Sequence, residues 1–108
     1  MCEKYNGWTN RETWAVKLWL DNEEGLQTEA LCLAENSKES EYATRHLADN
    51  LEDFVTSLLD MEEVFNAEPA QRKVLISMSS DIGSLYRVNW WEIAESYLSE
   101  MKLQGVAL

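Results

Sequence analysis

The spacing of apolar residues constrains this chain most, because they recur three and four positions apart along most of its length. The clearest segment runs from Glu41 to Phe65. At about 100° per residue, one side of a helix there collects Leu47, Leu51, Phe54, Leu58 and Phe65. No run alternates apolar and polar residues convincingly enough to make a strand. The pattern therefore predicts an all-α fold of about five helices in a bundle-like arrangement.

Capping residues and helix breakers divide the chain into five predicted helices. Thr9 and Glu12 have the spacing of a capping box, which predicts that the first helix begins there, and Asn89 and Glu92 repeat this spacing before the last helix. Pro69 fits the first turn of the fourth helix. The predicted helices are Asn10–Asp21, Glu23–Glu35, Glu41–Phe65 with a break near Asp60, Ala70–Tyr86, and a last helix from Asn89 to about Leu103.

All of these helices belong to one predicted domain. A chain of 108 residues has the usual size of a single domain, and an apolar content of 45% is enough for one core. No apolar run approaches the roughly 20 residues that are needed to cross a bilayer, and no signal peptide is recognisable. We therefore expect residues 1–108 to form one acidic helical domain in the cytoplasm, without membrane contact.

Five tryptophans lie near the predicted starts of the first and last helices, which suggests that the two ends of the chain meet in one aromatic core. We expect Trp8, Trp14 and Trp91 to pack in this core. Trp19 and Trp90 each neighbour a better core residue. At least one of these two is therefore predicted to be exposed, where it would anchor a partner.

The distribution of charge points to a basic partner. The chain has 20 acidic and 9 basic residues, a net charge of −11. Between Asp21 and Glu68 there are 14 acidic residues against Lys38 and Arg45, a net charge of −12. Such a field repels nucleic acid and acidic membrane surfaces and speeds encounter with basic proteins. The excess therefore argues against direct binding to nucleic acid.

The predicted helix from Glu41 to Phe65 carries carboxylates on the side opposite its apolar residues. Asp49 and Asp53 would lie about 6 Å apart along the helix axis, and Asp60 about 10 Å further on. This row of carboxylates resembles a line of backbone phosphates in spacing and charge. An ordinary solvated face is the alternative, although like charges four residues apart disfavour a helix. The candidate partner-binding residues are Asp49, Glu52, Asp53, Asp60, Glu62 and Glu63, together with Trp19 and Trp90.

The residues that usually carry catalysis are scarce. The single histidine, His46, lies in the acidic segment without an evident nucleophile or orienting partner, so we expect an ordinary exposed histidine. One histidine and two cysteines do not provide a structural zinc site, and neither a calcium-binding loop nor a glycine-rich phosphate loop is present. The sequence therefore predicts no enzyme activity, no catalytic residue, no bound metal and no cofactor.

Two segments carry a resemblance to known proteins. The stretch from Tyr5 to Trp14, YNGWTNRETW, which continues to Asn22, resembles the opening of a group of small phage and mobile-element proteins of unknown function. The stretch from Asn89 to Ala94, NWWEIA, is similar to their closing segment. The resemblance implies a phage or plasmid context and transfers no functional residue. Small acidic phage proteins often resemble anti-CRISPR and antirestriction inhibitors, which present carboxylates in place of phosphates.

The leading hypothesis is therefore a phage- or mobile-element-encoded protein that binds and inhibits a host nucleic-acid-handling defence complex through its acidic surface. The alternative is a phage accessory or assembly protein that acts by self-association or protein contacts, with the acidity serving solubility. Direct DNA binding is the weakest interpretation, because Arg72 and Lys73 stand nearly alone and form no basic patch.

Overall fold

A computed structural model describes the chain from Gly7 to Leu103, apart from the side chains of Lys102 and Leu103. Within these residues the chain forms α-helices and one 3-10 helix and no strand, which confirms the all-α prediction. The helices are α1 (Arg11–Asn22), α2 (Glu24–Ser37), α3 (Ala43–Leu58), α4 (Met61–Asn66), α5 (Pro69–Ile82), the 3-10 helix (Leu85–Arg87) and α6 (Trp90–Leu103).

The helices are interrupted at two places, one of which was predicted from the sequence. The predicted break near Asp60 is confirmed: α3 ends at Leu58, and the Asp60 carboxylate caps α4 by accepting a hydrogen bond of 3.0 Å from the amide of Glu62. The predicted fourth helix does not continue to Tyr86. It ends at Gly83, whose φ of 85° lies in the left-handed region that glycine adopts without steric strain.

One cluster of buried residues forms the core, and α1, α2, α3, α5 and α6 all contribute to it. In this arrangement α6 packs against α3, and α1 packs against α2 and α5. The short helix α4 contacts α3 and α5 and buries Val64. Phe65, which the sequence placed on the apolar side of one long helix, is 63% exposed, because α4 is a separate helix with its own orientation.

The buried face of α6 is shifted by one residue from the predicted one. Trp90 is only 8% exposed and Trp91 is 50% exposed, so the expectation that Trp91 packs in the core is wrong. Trp19 is partly buried, so neither Trp19 nor Trp90 is the exposed anchor that was expected. The buried residues of the face have the spacing of a helical stripe: Trp90, Ile93, Ala94 and Tyr97. Ile93 and Tyr97 set this register, because an apolar stripe through both of them includes Trp90 and excludes Trp91.

The first helix is capped by Asn10 and not by Thr9 as predicted. Asn10 Oδ1 accepts hydrogen bonds from the amide of Thr13 at 2.9 Å and from its hydroxyl at 2.6 Å. Glu12 does not turn back to the cap, since its carboxylate pairs with Arg87 at 3.5 Å. The capping residue therefore lies one position later than the Thr9 to Glu12 spacing indicated.

The starts of α1 and α6 lie side by side and satisfy each other's polar groups. Asn89 caps α6 as predicted, accepting a hydrogen bond of 3.1 Å from the amide of Glu92. Thr13 Oγ1 accepts a bond of 2.8 Å from the amide of Asn89. Three further bonds cross the junction: Asn10 Nδ2 to the Arg87 carbonyl at 2.8 Å, the Thr9 amide to Glu92 Oε1 at 3.0 Å, and Asn89 Nδ2 to Thr9 Oγ1 at 3.3 Å. Residues 9–13 and residues 87–92 are thereby brought together.

Replacing Thr13 with valine tests this junction. Thr13 is fully buried, and valine has nearly the same shape but cannot accept the hydrogen bond from the Asn89 amide. We expect Thr13→Val to lower the free energy of unfolding by about 1–3 kcal/mol, as measured by urea denaturation. The control is Thr56→Val on the exposed side of α3. Equal effects of the two substitutions would contradict this role of Thr13.

Candidate functional site

Exposed carboxylates cover the outward side of α3 and continue onto α4. Asp49, Glu52 and Asp53 lie on one side of α3, opposite the buried residues Leu47 and Leu51. Their exposure agrees with the sequence analysis. We call the whole set the α3–α4 acidic surface, and its members are Asp49, Glu52, Asp53, Asp60, Glu62 and Glu63.

The carboxylates of α4 do not continue the line of those on α3. The predicted rise from Asp53 to Asp60 assumed one straight helix, and this is wrong because α3 ends at Leu58. Asp60 is the N-cap of α4, and Glu62 and Glu63 occupy its first turn. The partial positive charge at a helix N-terminus favours carboxylates at these positions. The surface therefore consists of two separately oriented groups.

The members of the α3–α4 acidic surface form no ion pair with the side chains of residues 7–101. Lys38 pairs with Glu35 on α2. Arg45 lies one turn before Asp49 on α3 but is not paired with it. Each of these carboxylates is thus free to contact a cation of another molecule.

Carboxylates on the other helices hold the tertiary structure together. Asp81 of α5 accepts an ion pair of 3.0 Å from Arg11 and a hydrogen bond of 2.8 Å from Trp19 Nε1. Glu12 and Glu92 bond across the junction between α1 and α6. These carboxylates thus connect one element to another, whereas Asp49, Glu52 and Asp53 on α3 form no such contact among the described residues.

The two tryptophans proposed as anchors serve the fold. Trp90 packs in the core, and Trp19 is half-buried with its indole N–H bound to Asp81. Among the described residues, the exposed aromatic side chains are those of Tyr42, Phe65, Tyr86 and Trp91, and Tyr86 is 99% exposed. Sequence reasoning missed them as surface residues, although the register of Ile93 and Tyr97 indicates that Trp91 faces outward.

A partly buried polar cluster between α1 and α6 was not anticipated. The Nζ atom of Lys17 lies 2.7 Å from Asp21 Oδ2 and 3.1 Å from Glu100 Oε2, and 4.5 Å from the centre of the Tyr97 ring. The Tyr97 hydroxyl donates a hydrogen bond of 3.0 Å to Asp21 Oδ1. The sequence reveals only the pair of Lys17 and Asp21, which have i,i+4 spacing on one helix. Tyr97 and Glu100 are more than 75 residues away in the sequence and reach the cluster only in the folded protein.

The surroundings of Tyr97 stabilise the protonated form of its hydroxyl group. Burial raises the pKa of Tyr97 above its ordinary value, and the negative charges of Asp21 and Glu100 and the hydrogen bond to Asp21 raise it further. The phenol thus stays protonated and keeps donating to Asp21. With Lys17 held between two carboxylates and an aromatic ring, the cluster connects α1 to α6.

His46 is exposed on α3, as expected. Across the described part of the chain, no three His, Cys, Asp or Glu side chains are placed to hold a metal ion. None of the helices described here combines the length and apolar character that a membrane span requires.

The raised pKa of Tyr97 predicts how stability responds to alkaline pH. The unfolded chain releases the tyrosine proton near pH 10, below the folded value, so this contribution is present below about pH 10 and is lost as the pH rises further. Wild type should therefore lose more stability than Tyr97→Phe between about pH 8 and about pH 11 in urea denaturation. At about pH 8, loss of the hydrogen bond should cost Tyr97→Phe about 1 kcal/mol.

Tyr86→Phe is the matched control, because Tyr86 is fully accessible to solvent. It should reproduce the stability of wild type at both pH values. If Tyr97→Phe and wild type lost stability in parallel, the coupling between Tyr97 and Asp21 would be refuted.

One family model matches the chain over residues 1–102, and it describes a family of unknown function, DUF7249. No curated protein and no solved structure matches.

Proposed function

Because the chain belongs to the DUF7249 family, whose function is unknown, we propose a function from its own surface: it binds a basic protein through the α3–α4 acidic surface. In the form we propose, the partner is a host complex that handles nucleic acid, and binding inhibits that complex. The protein itself then acts by contact and not by catalysis.

The concentration of exposed carboxylates on α3 and α4 supports this proposal most. Carboxylates that pair with a cation on another helix or on the 3-10 helix lie on α1, α5 and α6 and help to hold the fold together. Those of the α3–α4 acidic surface are exposed and form no ion pair with residues 7–101, and like charges this close on a helix repel each other. A basic partner would remove this repulsion, and its attraction would accelerate encounter.

A nucleic-acid channel is a partner of suitable chemistry. Such channels gather Lys and Arg to neutralise phosphates, and the same cations would attract a row of carboxylates. Asp49 and Asp53 repeat at about 6 Å along α3. The resemblance of the two terminal segments to phage and mobile-element proteins supports a defence complex, of the CRISPR or restriction type, as the target.

Neutralising three carboxylates of α3 tests the proposal. The variant Asp49→Asn/Glu52→Gln/Asp53→Asn keeps side-chain shape and removes three negative charges. Tagged wild-type protein should capture a nucleic-acid-binding complex at low salt, but not at high salt, from lysate of bacteria that carry CRISPR and restriction systems. We expect the variant to bind the captured complex at least about tenfold more weakly.

The control variant is Glu24→Gln/Glu29→Gln/Glu95→Gln, which removes the same charge from exposed positions on α2 and α6. It should retain most of the affinity. Equal weakening by both variants would show that only net charge matters, and undiminished binding of the complex by the α3 variant would refute the proposed surface.

Self-association is a second candidate function, and the exposed aromatic residues favour it. Tyr86 of the 3-10 helix and Trp91 in the first turn of α6 lie close in sequence, and both present aromatic rings to solvent. Exposed aromatic side chains are typical of protein interfaces. In this interpretation the protein is an accessory or assembly protein, and its acidity maintains solubility.

Sedimentation velocity at several protein concentrations tests the second candidate. A self-associating protein should sediment faster as the concentration rises, and Trp91→Ala should shift this dependence to higher concentration by about tenfold. A wild-type monomer at every concentration would eliminate this candidate.

A further inference from the structure

We infer that α4 supplies the apolar anchor of the interface and receives a basic amphipathic segment of the partner, one that combines Lys or Arg with an apolar side chain. This inference rests on the proposed function, because it specifies which kind of partner segment the α3–α4 acidic surface binds.

Two large apolar side chains of α4 face solvent. Met61 is 69% exposed and Phe65 is 63% exposed. They are four residues apart and therefore lie on the same side of the helix. In a helix of only six residues, Val64 is buried while this pair is not. Adjacent exposed apolar groups rimmed by polar residues mark interaction surfaces.

Exposed carboxylates flank this pair in the sequence. Asp60, Glu62 and Glu63 precede or separate Met61 and Phe65 in the same short element, and all three are exposed. Glu68 is exposed just beyond the end of α4. An apolar centre within a charged rim is the usual anatomy of a protein interface.

Arg72, a cation of α5 that is bonded to α4, does not neutralise the carboxylates of Asp60, Glu62 and Glu63. Arg72 of α5 donates from Nη2 to the carbonyl oxygens of Phe65 at 3.0 Å and Ala67 at 3.2 Å. Its charge thus stabilises the C-terminal end of α4, where the helix dipole is negative. The carboxylates at the other end of α4 keep their full charge for a partner.

A cleft beside α4 offers room for a side chain of the partner. It has a volume of about 210 Å³ and is lined by Leu58, Glu63, Asn66, Ala67, Gln71 and Leu75. Leu58 comes from the end of α3 and Leu75 from α5. Three of its lining residues are apolar and three are polar, and neither Met61 nor Phe65 is among them. The cleft would therefore receive a second side chain of the partner, beside the carboxylate of Glu63.

Charge decides which occupant fits this face. A second copy would bring the carboxylates of two α4 helices together, and a nucleic acid would bring phosphates to them, and both contacts are repulsive. A basic amphipathic helix satisfies the carboxylates with Lys or Arg and covers Met61 and Phe65 with its apolar side. We therefore assign the face to a basic amphipathic segment of another protein.

Two synthetic peptides separate the apolar contribution from the electrostatic one. The first combines lysine and leucine at helical spacing, and the second is a polylysine of equal charge. Wild-type protein should bind both at low salt, as measured by fluorescence anisotropy of the labelled peptides. Met61→Ala/Phe65→Ala should bind the lysine and leucine peptide about tenfold more weakly and polylysine with unchanged affinity.

The control is Leu31→Ala/Tyr86→Ala, which removes two exposed apolar side chains from α2 and the 3-10 helix. It should bind both peptides as wild type does. Circular dichroism should show the same helix content for all three proteins, since none of the replaced side chains is buried.

The outcomes distinguish this inference from the proposed function. If Met61→Ala/Phe65→Ala binds the lysine and leucine peptide as tightly as wild type, or loses affinity for both peptides equally, the anchor assignment is wrong while the acidic surface stands. If wild type binds neither peptide, the proposed function itself fails. If the double variant instead abolishes a wild-type dimer in sedimentation, the face belongs to a second copy and the inference is overturned.

Discussion

The buried hydroxyl group of Thr13 connects the two ends of this protein. It donates to Asn10 Oδ1, which caps α1, and accepts from the amide of Asn89, the cap of α6. A buried backbone amide needs a partner, so the position of α6 depends on a side chain of α1. Because both helices start at this point, Lys17 on α1 reaches Tyr97 and Glu100 on α6 further along. The polar cluster around Lys17 therefore follows from the way in which the starts of α1 and α6 are joined.

The same junction determines which acidic residues are left for a partner. Contacts near the start of α1 involve the carboxylates of Glu12, Asp81 and Glu92. The carboxylates of Asp21 and Glu100 pair with Lys17. The basic residues Arg11, Lys17 and Arg87 are occupied by these contacts. The segment from Asp21 to Glu68 has a net charge of −12. Few cations are therefore left to neutralise the carboxylates on α3 and α4.

Much of the fold was predictable from local patterns. The amphipathic spacing of α3, the cap at Asn89 and the break near Asp60 all follow from residues within a few positions of each other, and the structure confirms them. The exposure of Asp49, Glu52 and Asp53 was predictable for the same reason, since they lie opposite the apolar stripe of one helix. The choice between Thr9 and Asn10 as the cap was not, because Thr9 instead bonds to α6.

The sequence by itself determined that this chain is helical, acidic in its middle and rich in tryptophan at both ends, because helical periodicity and charge are properties of neighbouring residues. Only the tertiary structure decided that Trp90 is buried and Trp91 exposed, that Phe65 faces solvent, and that Lys17 meets Glu100. The physical reason is that burial and ion pairing depend on which helix covers which face. That choice is made by contacts between residues about eighty positions apart, such as the hydrogen bond from Asn89 to Thr13.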